Sequence, residues 1–185
     1  MDEVNMIKRV KDGDHEAFRF LMQRYKSTVE KFAFQFGLLP DEVQDVTQEV
    51  FLKVYNNISK YEGGKFSTWI YQICLNVTRD YFRKQQRERR KWKKAQRDAE
   101  VTFREETAKY FSSEEKAEMH GFIRGLNEKY RTPIILYYFH EMSYEEIAEA
   151  TKVSLSAVKS RIHRAKAKLK TAYENSPVEE VRNHG

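Results

Sequence analysis

The residue types that catalysis and metal binding require are sparse in this sequence. Its five histidines stand at positions 15, 120, 140, 163 and 184, and none belongs to an HExxH motif, whose spacing places two zinc ligands on one helix face. Cys74 is the only cysteine, which excludes an internal disulfide and a cysteine-based zinc site. No glycine-rich phosphate loop or nucleophile elbow is present. We therefore expect no enzyme activity, no metal and no cofactor.

The acidic segment at residues 12–15, with the sequence DGDH, could be interpreted as a metal site. A turn followed by a helix N-cap explains the same residues better. Glycine favours turns, and the carboxylate of Asp14 can accept hydrogen bonds from the first turn of a helix. We expect the turn.

A basic segment near the C-terminus has the pattern of a DNA-binding helix. Residues 155–173 contain six bases and no acid. A helix held by a core on one side and basic on the other fits the major groove, although a solvated surface helix is the alternative. The apolar positions step by three and four residues and are Leu155, Val158, Ile162, Ala165 and Leu169. The residues on or beside the exposed face are Ser156, Lys159, Ser160, His163 and Arg164.

The residues just before this segment favour DNA binding, because they predict a helix-turn-helix. Ser143 and Glu146 have the spacing of a capping box. Residues 151–154 predict the turn, and Ser154 is suited to cap the next helix. Lys152 stands where many such motifs have glycine, at some conformational cost. The side chains expected to face inward from the first helix are Ile147 and Ala148.

A second set of nucleic-acid-binding residue types follows position 65. Aromatic residues alternate with polar side chains that can bond to bases, and a basic run begins at Arg83. Rings stack on unpaired bases and cations hold phosphates, so the mixture is typical of surfaces that bind single strands. Phe66, at a junction of loop and helix, is hard to explain as core. The residues expected in the core are Trp69, Ile70, Ile73 and Val77.

Composition and charge predict an all-α protein of two small helical domains joined by a charged linker. Seven glycines and three prolines in 185 residues favour long helices with short connections. The net charge of +6 suits a polyanionic partner. Residues 83–97 hold nine bases and one acid, whereas residues 98–128 hold eight acids and four bases. We place the domains at 1–86 and 113–175, the linker at 87–112 and a tail at 176–185.

Local signals predict the helix ends. Asp14 can cap a helix that ends near Gly37, and Pro40 begins the next. Residues 61–65 predict a loop, and a third helix starts near Ser67. In the C-terminal domain we expect helices over about 113–126, 133–141, 143–151 and 155–173.

In order and spacing, three segments resemble the extracytoplasmic-function (ECF) sigma factors of bacterial RNA polymerase. They read PDEVQDVTQEVFLKVY, FSTWIYQICLNVTRDYFRK and SYEEIAEATKVSLSAVKSRIHRAKAKL. The resemblance covers the chain except for its linker and tail. It implies a protein without enzyme activity that binds core RNA polymerase, recognises the −35 and −10 promoter elements and promotes strand opening.

The resemblance also implies roles for individual residues. The helix that matches 41–57 would dock on the clamp of the largest polymerase subunit. On the residues alone, its polar stripe is typical of an ordinary solvent-exposed face, and the resemblance reverses that interpretation. The docking residues would be Asp45, Gln48, Glu49 and Lys53.

The two DNA-binding roles follow in the same way. The loop and helix that match 60–84 would recognise and melt the −10 element and capture an extruded base. The helix-turn-helix at 143–165 would read the −35 element as duplex, and Tyr137 stands where relatives often have a DNA-contacting arginine. The residues placed at the −10 element are Lys65, Phe66, Ser67, Thr68, Asn76, Arg79 and Arg83.

The implied partners are core polymerase, through its largest-subunit clamp and the flap of its second-largest subunit, promoter DNA in duplex and single-stranded form, and an anti-sigma factor. The N-terminus lacks the apolar stretch of a secretory signal, and the apolar run at 134–139 is far shorter than the ~20 residues that span a bilayer. We expect a cytoplasmic protein without stable membrane insertion, and any attachment to the membrane would be through an anti-sigma factor.

Two other classes of protein explain less of the sequence. An ordinary helix-turn-helix regulator with a sensory N-terminal domain accounts for neither the docking segment nor the aromatic and basic segment. A helical scaffold leaves two basic surfaces unexplained. Binding to core polymerase without promoter DNA separates a sigma factor from an ordinary regulator.

Overall fold

The computed structural model describes residues 2–91 and 114–175. Regular structure within these ranges is entirely helical and groups into two compact units. The prediction of an all-α protein with two small domains is confirmed. The N-terminal unit contains residues up to 34 and residues 40–91, while residues 35–39 group with the C-terminal helices.

The described part of the N-terminal unit contains four α-helices, α1 (Glu3–Lys11), α2 (His15–Gln35), α3 (Pro40–Asn57) and α4 (Phe66–Lys91), with a 3₁₀ turn at Ile58–Lys60. The α4 helix continues through the basic run, past residue 86, where the sequence predicts the end of the domain. The core forms between α3 and α4 and against α2. The largest side chains fully buried in it are Phe32, Phe66, Leu21, Ile70, Leu75 and Val29.

The predicted N-cap at Asp14 is confirmed. Its Oδ1 accepts hydrogen bonds from the backbone N–H groups of Glu16 and Ala17 at 2.9 and 3.0 Å. The Ala17 amide and then the Arg9 side chain hold the pKa of the Asp14 carboxyl below its ordinary value. The DGDH segment is therefore the turn that links α1 to α2.

The α1 helix is absent from the sequence-based prediction. Met6, Ile7 and Val10 have the spacing of an apolar helix face and are buried in the structure. Tyr25 of α2 donates a hydrogen bond of 2.6 Å to Glu3 and joins the two helices. Burial, followed by the adjacent Glu3 carboxylate, raises the pKa of Tyr25.

Four helices are described in the C-terminal unit, α5 (Glu114–Gly125), α6 (Glu128–Phe139), α7 (Tyr144–Thr151) and α8 (Leu155–Glu174). The predicted start of α6 at residue 133 is wrong, because Asn127 caps the helix and accepts a hydrogen bond from Lys129 N at 3.2 Å. Pro133 lies inside the helix, and burial of its apolar neighbours offsets the lost backbone bond. No helix in either described range is long and apolar enough to cross a membrane.

Candidate nucleic-acid and partner interfaces

The helix-turn-helix is built from α7 and α8, and its predicted caps are confirmed. Ser143 Oγ accepts a hydrogen bond from Glu146 N at 3.2 Å, and Ser143 N donates to Glu146 Oε2 at 2.7 Å. Ser154 Oγ accepts from Ala157 N at 3.2 Å and begins α8. Ile147 is buried as expected, whereas Ala150, and not Ala148, is the second buried residue of α7. These bonds fix where α7 and α8 begin and therefore the length of the turn between them.

Lys152 adopts the left-handed conformation expected for the turn, with φ 56° and ψ 42°. A side chain in this region is strained, and glycine is not. We expect Lys152→Gly to raise the free energy of unfolding of the C-terminal unit by about 0.5–1 kcal/mol, measured by urea denaturation. Lys170→Gly, in the exposed interior of α8, is the matched control and should lower it by about 1 kcal/mol. A Lys152→Gly variant no more stable than the wild type would contradict the strain.

The two faces of α8 are separated as the spacing predicts. Val158, Ile162 and Ala165 are buried, and Leu155 and Leu169 are partly buried. All five side chains that the sequence assigns to the −35 element are exposed. They are Ser156, Lys159, Ser160, His163 and Arg164. The structure therefore forms a continuous polar and basic surface on α8, whose opposite face packs against the core.

Aromatic side chains lie beside this surface at the junction of α6 and α7. The ring of Tyr137 lies 5.0 Å from that of Tyr144 and 4.9 Å from that of Tyr138. Lys166 of α8 lies 5.4 Å from the Tyr138 ring. A hydrogen bond to the Tyr138 phenol raises the pKa of Lys166, so this lysine stays charged. Tyr137 is thus packed against α7.

The second candidate surface is a cleft between α3 and α4 in the N-terminal unit, with a volume of about 540 Å³. Three residues predicted at the −10 element line it, namely Asn76, Arg79 and Arg83. The cleft also contains residues that the sequence-based site did not include. These are Lys53, Asn57, Lys60, Trp69, Gln72, Ile73 and Asp80. Aromatic, amide and cationic groups therefore face one concave space.

Four of the seven residues expected at the −10 element do not line the cleft, and two of these four are buried. Phe66 and Thr68 are each only 1% exposed. The Phe66 ring packs against the rings of Tyr25, Tyr61 and Trp69 at centroid distances of 5.6, 5.1 and 5.4 Å. These two side chains therefore form part of the core beneath the cleft, and their contact with DNA stays a prediction. Lys65 is exposed and Ser67 is partly exposed, and both lie at the start of α4.

Trp69 differs from its prediction in the opposite direction, because it is more exposed than the sequence predicts. The sequence predicts it as a core residue together with Ile70, Ile73 and Val77, but Trp69 and Ile73 are only partly buried and line the cleft. Ile70 and Val77 are buried, as expected. The alternation of aromatic and polar residues indicated the surface but did not indicate which ring is exposed.

The third candidate surface is the polar stripe on α3. Asp45, Gln48 and Glu49 are exposed, and they form a patch on the outer side of the helix. Lys53 differs, because it pairs with Glu49 at 3.7 Å and with Asp80 of α4 at 3.8 Å. The structure therefore places Lys53 at the border between the stripe and the cleft.

An apolar groove lies next to the polar stripe, between α2 and α3, and has a volume of about 680 Å³. Leu52 and Tyr55 on its α3 side are 58% and 37% exposed. The α2 side contributes Phe18 and Met22, and the Phe18 ring lies 4.9 Å from that of Tyr55. An exposed apolar surface bordered by charge is typical of protein–protein contacts.

Comparison with known proteins accounts for both units. Residues 21–88 match the model of Sigma-70 region 2, and residues 116–169 match that of Sigma-70, region 4. The ECF RNA polymerase sigma factor SigW of Bacillus subtilis is 33% identical over 89% of this chain and 92% of its own length. The ECF sigma-E factor of Escherichia coli strain K12 is 30% identical over 87% of this chain and 88% of its own. This chain belongs to the ECF sigma factors.

Solved structures show the same fold for this ECF sigma factor. A structure of CnrH in complex with the cytosolic domain of CnrY has a TM-score of 0.70 at 24% identity and covers 92% of this chain and 97% of that one. A structure of the sigma factor RpoE with the anti-sigma factor NepR from Bartonella quintana has a TM-score of 0.68 at 20% identity and covers 86% of this chain and 98% of that one.

Membership in the family places the three surfaces in named regions. The cleft and the α3 stripe lie within region 2, and the helix-turn-helix lies within region 4. Sigma factors recognise promoters and are not enzymes, so the expected absence of catalysis is confirmed by the relatives. An ordinary helix-turn-helix regulator is excluded, because region 2 accounts for the N-terminal unit.

Proposed function

We propose that this ECF sigma factor directs core RNA polymerase to promoters and that each of the three surfaces has a separate role in this. The α8 surface reads the −35 element, the α3–α4 cleft opens the −10 element, and the α3 stripe docks on the polymerase. The observation that supports this division is the placement of the two basic surfaces on separate compact units, each within the sigma region suited to its task.

Reading of the −35 element follows from the geometry of α8. Its exposed N-terminal residues include Lys159 and His163, which can reach base edges when the helix lies in the major groove. Later basic residues of the same helix reach the phosphates. Because α8 is already folded, capped and packed against α7, little backbone freedom is lost on binding.

Opening of the −10 element follows from the chemistry of the cleft. Trp69 offers a ring for stacking, Gln72 and Asn76 can hydrogen-bond to a base, and the surrounding cations can hold phosphates. Capture of an extruded base repays the few kcal/mol of lost stacking and pairing without ATP. Asp80 is an acid among these cations, and its Oδ1 forms an ion pair with Arg83 Nη1 at 3.3 Å. The cleft is therefore suited to one unstacked base with its backbone.

Docking on the polymerase would use Asp45, Gln48 and Glu49 at the clamp of the largest subunit, and the C-terminal unit would contact the flap of the second-largest subunit. The exposed apolar side chains of Leu52 and Tyr55 add buried area beside the charges. Lys53 has carboxylate partners within the chain, so we assign it to the positioning of Glu49 and Asp80.

An anti-sigma factor is the remaining partner in this proposal. The sigma factor RpoE, which has a similar fold, was solved in complex with the anti-sigma factor NepR. A protein that covers the polymerase and DNA surfaces would keep this chain inactive in the cytoplasm, or at the membrane if that partner is anchored there.

Run-off transcription with purified core polymerase on fragmented genomic DNA tests the proposal directly. The full chain should produce transcripts that start at a small set of shared promoter sequences, and core enzyme alone should not. Failure to confer specific initiation on any template would contradict the proposed function.

We expect Lys159→Ala to weaken promoter binding by about tenfold, because it removes a charged contact in the major groove. Binding to core polymerase should not change, since Lys159 lies on the other unit from the α3 stripe. Filter binding to a promoter from the run-off experiment measures the first quantity and fluorescence anisotropy with core enzyme the second. Loss of both together would refute the separation of roles.

A further inference from the structure

The short α1 helix contacts the segment that leads into the −10 cleft. Lys11, its last residue, donates a hydrogen bond from Nζ to the backbone carbonyl of Tyr61. The same ammonium group lies 5.5 Å from the centre of the Tyr61 ring. α1 also packs against the 3₁₀ turn at Ile58–Lys60, which directly precedes Tyr61. The end of α1 is therefore bonded to the start of the loop at 61–65.

Tyr61 joins the two ends of this loop. Its side chain is buried, and its hydroxyl donates a hydrogen bond of 2.7 Å to the carbonyl of Gly64. The carbonyl of the next residue, Lys65, accepts a hydrogen bond from the backbone N–H of Trp69 at 3.3 Å. A path of covalent and hydrogen bonds therefore runs from Lys11 through the loop to the first turn of α4.

Ordering of this loop is costly in conformational entropy. Residues 62–65 are all exposed, and Gly63 and Gly64 have positive φ angles of 128° and 86°. Glycine loses more conformational freedom on folding than other residues do, so a loop with two glycines gains most from a bond that fixes its ends. The Tyr61 hydroxyl supplies such a bond before any nucleic acid binds.

The other end of α1 is bonded to the same aromatic core. Tyr25 donates a hydrogen bond of 2.6 Å to Oε1 of Glu3, at the first position of the helix. The rings of Tyr25 and Tyr61 both pack on Phe66, and the Tyr61 ring also lies 5.5 Å from the Trp69 ring. Both ends of α1 are thus bonded to residues that support the ring lining the cleft.

We propose that Lys11 and Tyr61 are positioning residues for promoter opening, through which α1 holds the 61–65 loop and Trp69 in the arrangement that receives an unstacked base. The inference rests on the proposed function, in which the cleft opens the −10 element. α1 precedes residues 21–88, so the part of the chain that matches Sigma-70 region 2 does not contain Lys11. Neither side chain needs to touch DNA, because a loop that is already ordered loses less freedom when the base binds.

The rate of promoter opening by reconstituted holoenzyme tests this role. The probe is a promoter found by run-off transcription, with a fluorescent base analogue in its −10 element that brightens when it unstacks. We expect Lys11→Met to slow opening at saturating holoenzyme by about tenfold, since a charged hydrogen bond is lost. Tyr61→Phe keeps the ring and should slow opening by about fivefold. Affinity for the closed promoter, obtained from the dependence of the rate on holoenzyme concentration, should not change.

Lys8→Met is the matched control. Lys8 is exposed on the same helix, so this variant loses the same charge without removing a contact to Tyr61. It should open the promoter at the wild-type rate. Lys11→Arg should restore most of the rate lost in Lys11→Met, because a guanidinium can donate to the same carbonyl.

A double-mutant cycle separates positioning from direct contact with DNA. If Lys11 and Tyr61 hold the same loop, loss of either bond frees it, and the double variant Lys11→Met, Tyr61→Phe should be little slower than Lys11→Met alone. A phosphate contact by Lys11 predicts additive effects instead. It also predicts that Lys11→Met lowers the salt slope of binding to the single-stranded −10 element by about 0.7. These two results together would overturn the proposal.

Two other results would refute the positioning role. One is a wild-type opening rate in Lys11→Met. The other is a loss of rate accompanied by an equal loss of affinity for the closed promoter and a lower melting temperature in circular dichroism, which would show that α1 only stabilises the fold. If wild-type holoenzyme opens the promoter and Lys11→Met opens it equally fast, only the present inference fails. If wild-type holoenzyme opens no promoter, the proposed function fails and this inference fails with it.

Discussion

Replacement of Phe66 by alanine is expected to destabilise the N-terminal unit by about 3–5 kcal/mol. The ring is fully enclosed and makes edge or tilted contacts with Tyr25, Tyr61 and Trp69. Truncation removes the apolar burial of the ring and leaves a cavity that helices α2 and α4 cannot close. Urea denaturation followed by far-ultraviolet circular dichroism measures the change.

Phe20→Ala is the matched control for this prediction. Phe20 also lies on a helix of the N-terminal unit, but its side chain is 44% exposed. We expect a loss of less than about 1 kcal/mol there. If Phe66→Ala retained the wild-type stability and lost only promoter opening, Phe66 would be a DNA contact, as the sequence pattern alone suggests.

Reversal of charge at Asp45 and Glu49 together is expected to weaken binding to core polymerase by about a hundredfold or more. Both carboxylates are exposed on one side of α3, and charge reversal in a docked interface replaces attraction by repulsion. Affinity of the C-terminal unit for duplex DNA should not fall, because that surface belongs to the other unit. Anisotropy with labelled Asp45→Lys, Glu49→Lys protein and core enzyme measures the effect.

The double variant Asp12→Lys, Glu62→Lys is the control for net charge. Both residues are exposed and neither lies on α3, so the protein gains the same four units of positive charge elsewhere. It should bind core enzyme with near wild-type affinity. Equal weakening by both double variants would show that the effect comes from overall charge and not from docking by the α3 stripe.

The ends of most helices could be predicted from the sequence, because the responsible interactions are local. Asp14, Ser143 and Ser154 cap helices through bonds to amides two or three residues away. Gly37 follows the end of α2 with a positive φ of 100°, which glycine adopts without strain. Such contacts span one turn of chain and require no knowledge of the rest of the fold.

The start of α6 and the presence of α1 were missed in the prediction from sequence. Proline is a common first residue of a helix, but here the cap at Asn127, six residues before Pro133, sets the start of α6. Burial in the core makes the interior proline tolerable. The short α1 helix is held to α2 by the bond between Tyr25 and Glu3. Both places carry a local signal, the Asn127 cap and the apolar spacing of α1, and only the packing shows that these signals prevail over competing ones.

By itself, the sequence determined the all-helical fold, the helix-turn-helix and the two polar faces of α3 and α8, since each depends on spacing along one helix. Only the tertiary structure decided which aromatic ring of α4 is exposed, because Phe66 and Trp69 lie three residues apart. Packing of Tyr25 of α2 and Tyr61 of the loop against Phe66 makes it the buried ring. The cleft likewise joins residues of different helices, since Lys53 of α3 pairs with Asp80 of α4. Their distances follow from helix packing and not from separation along the chain.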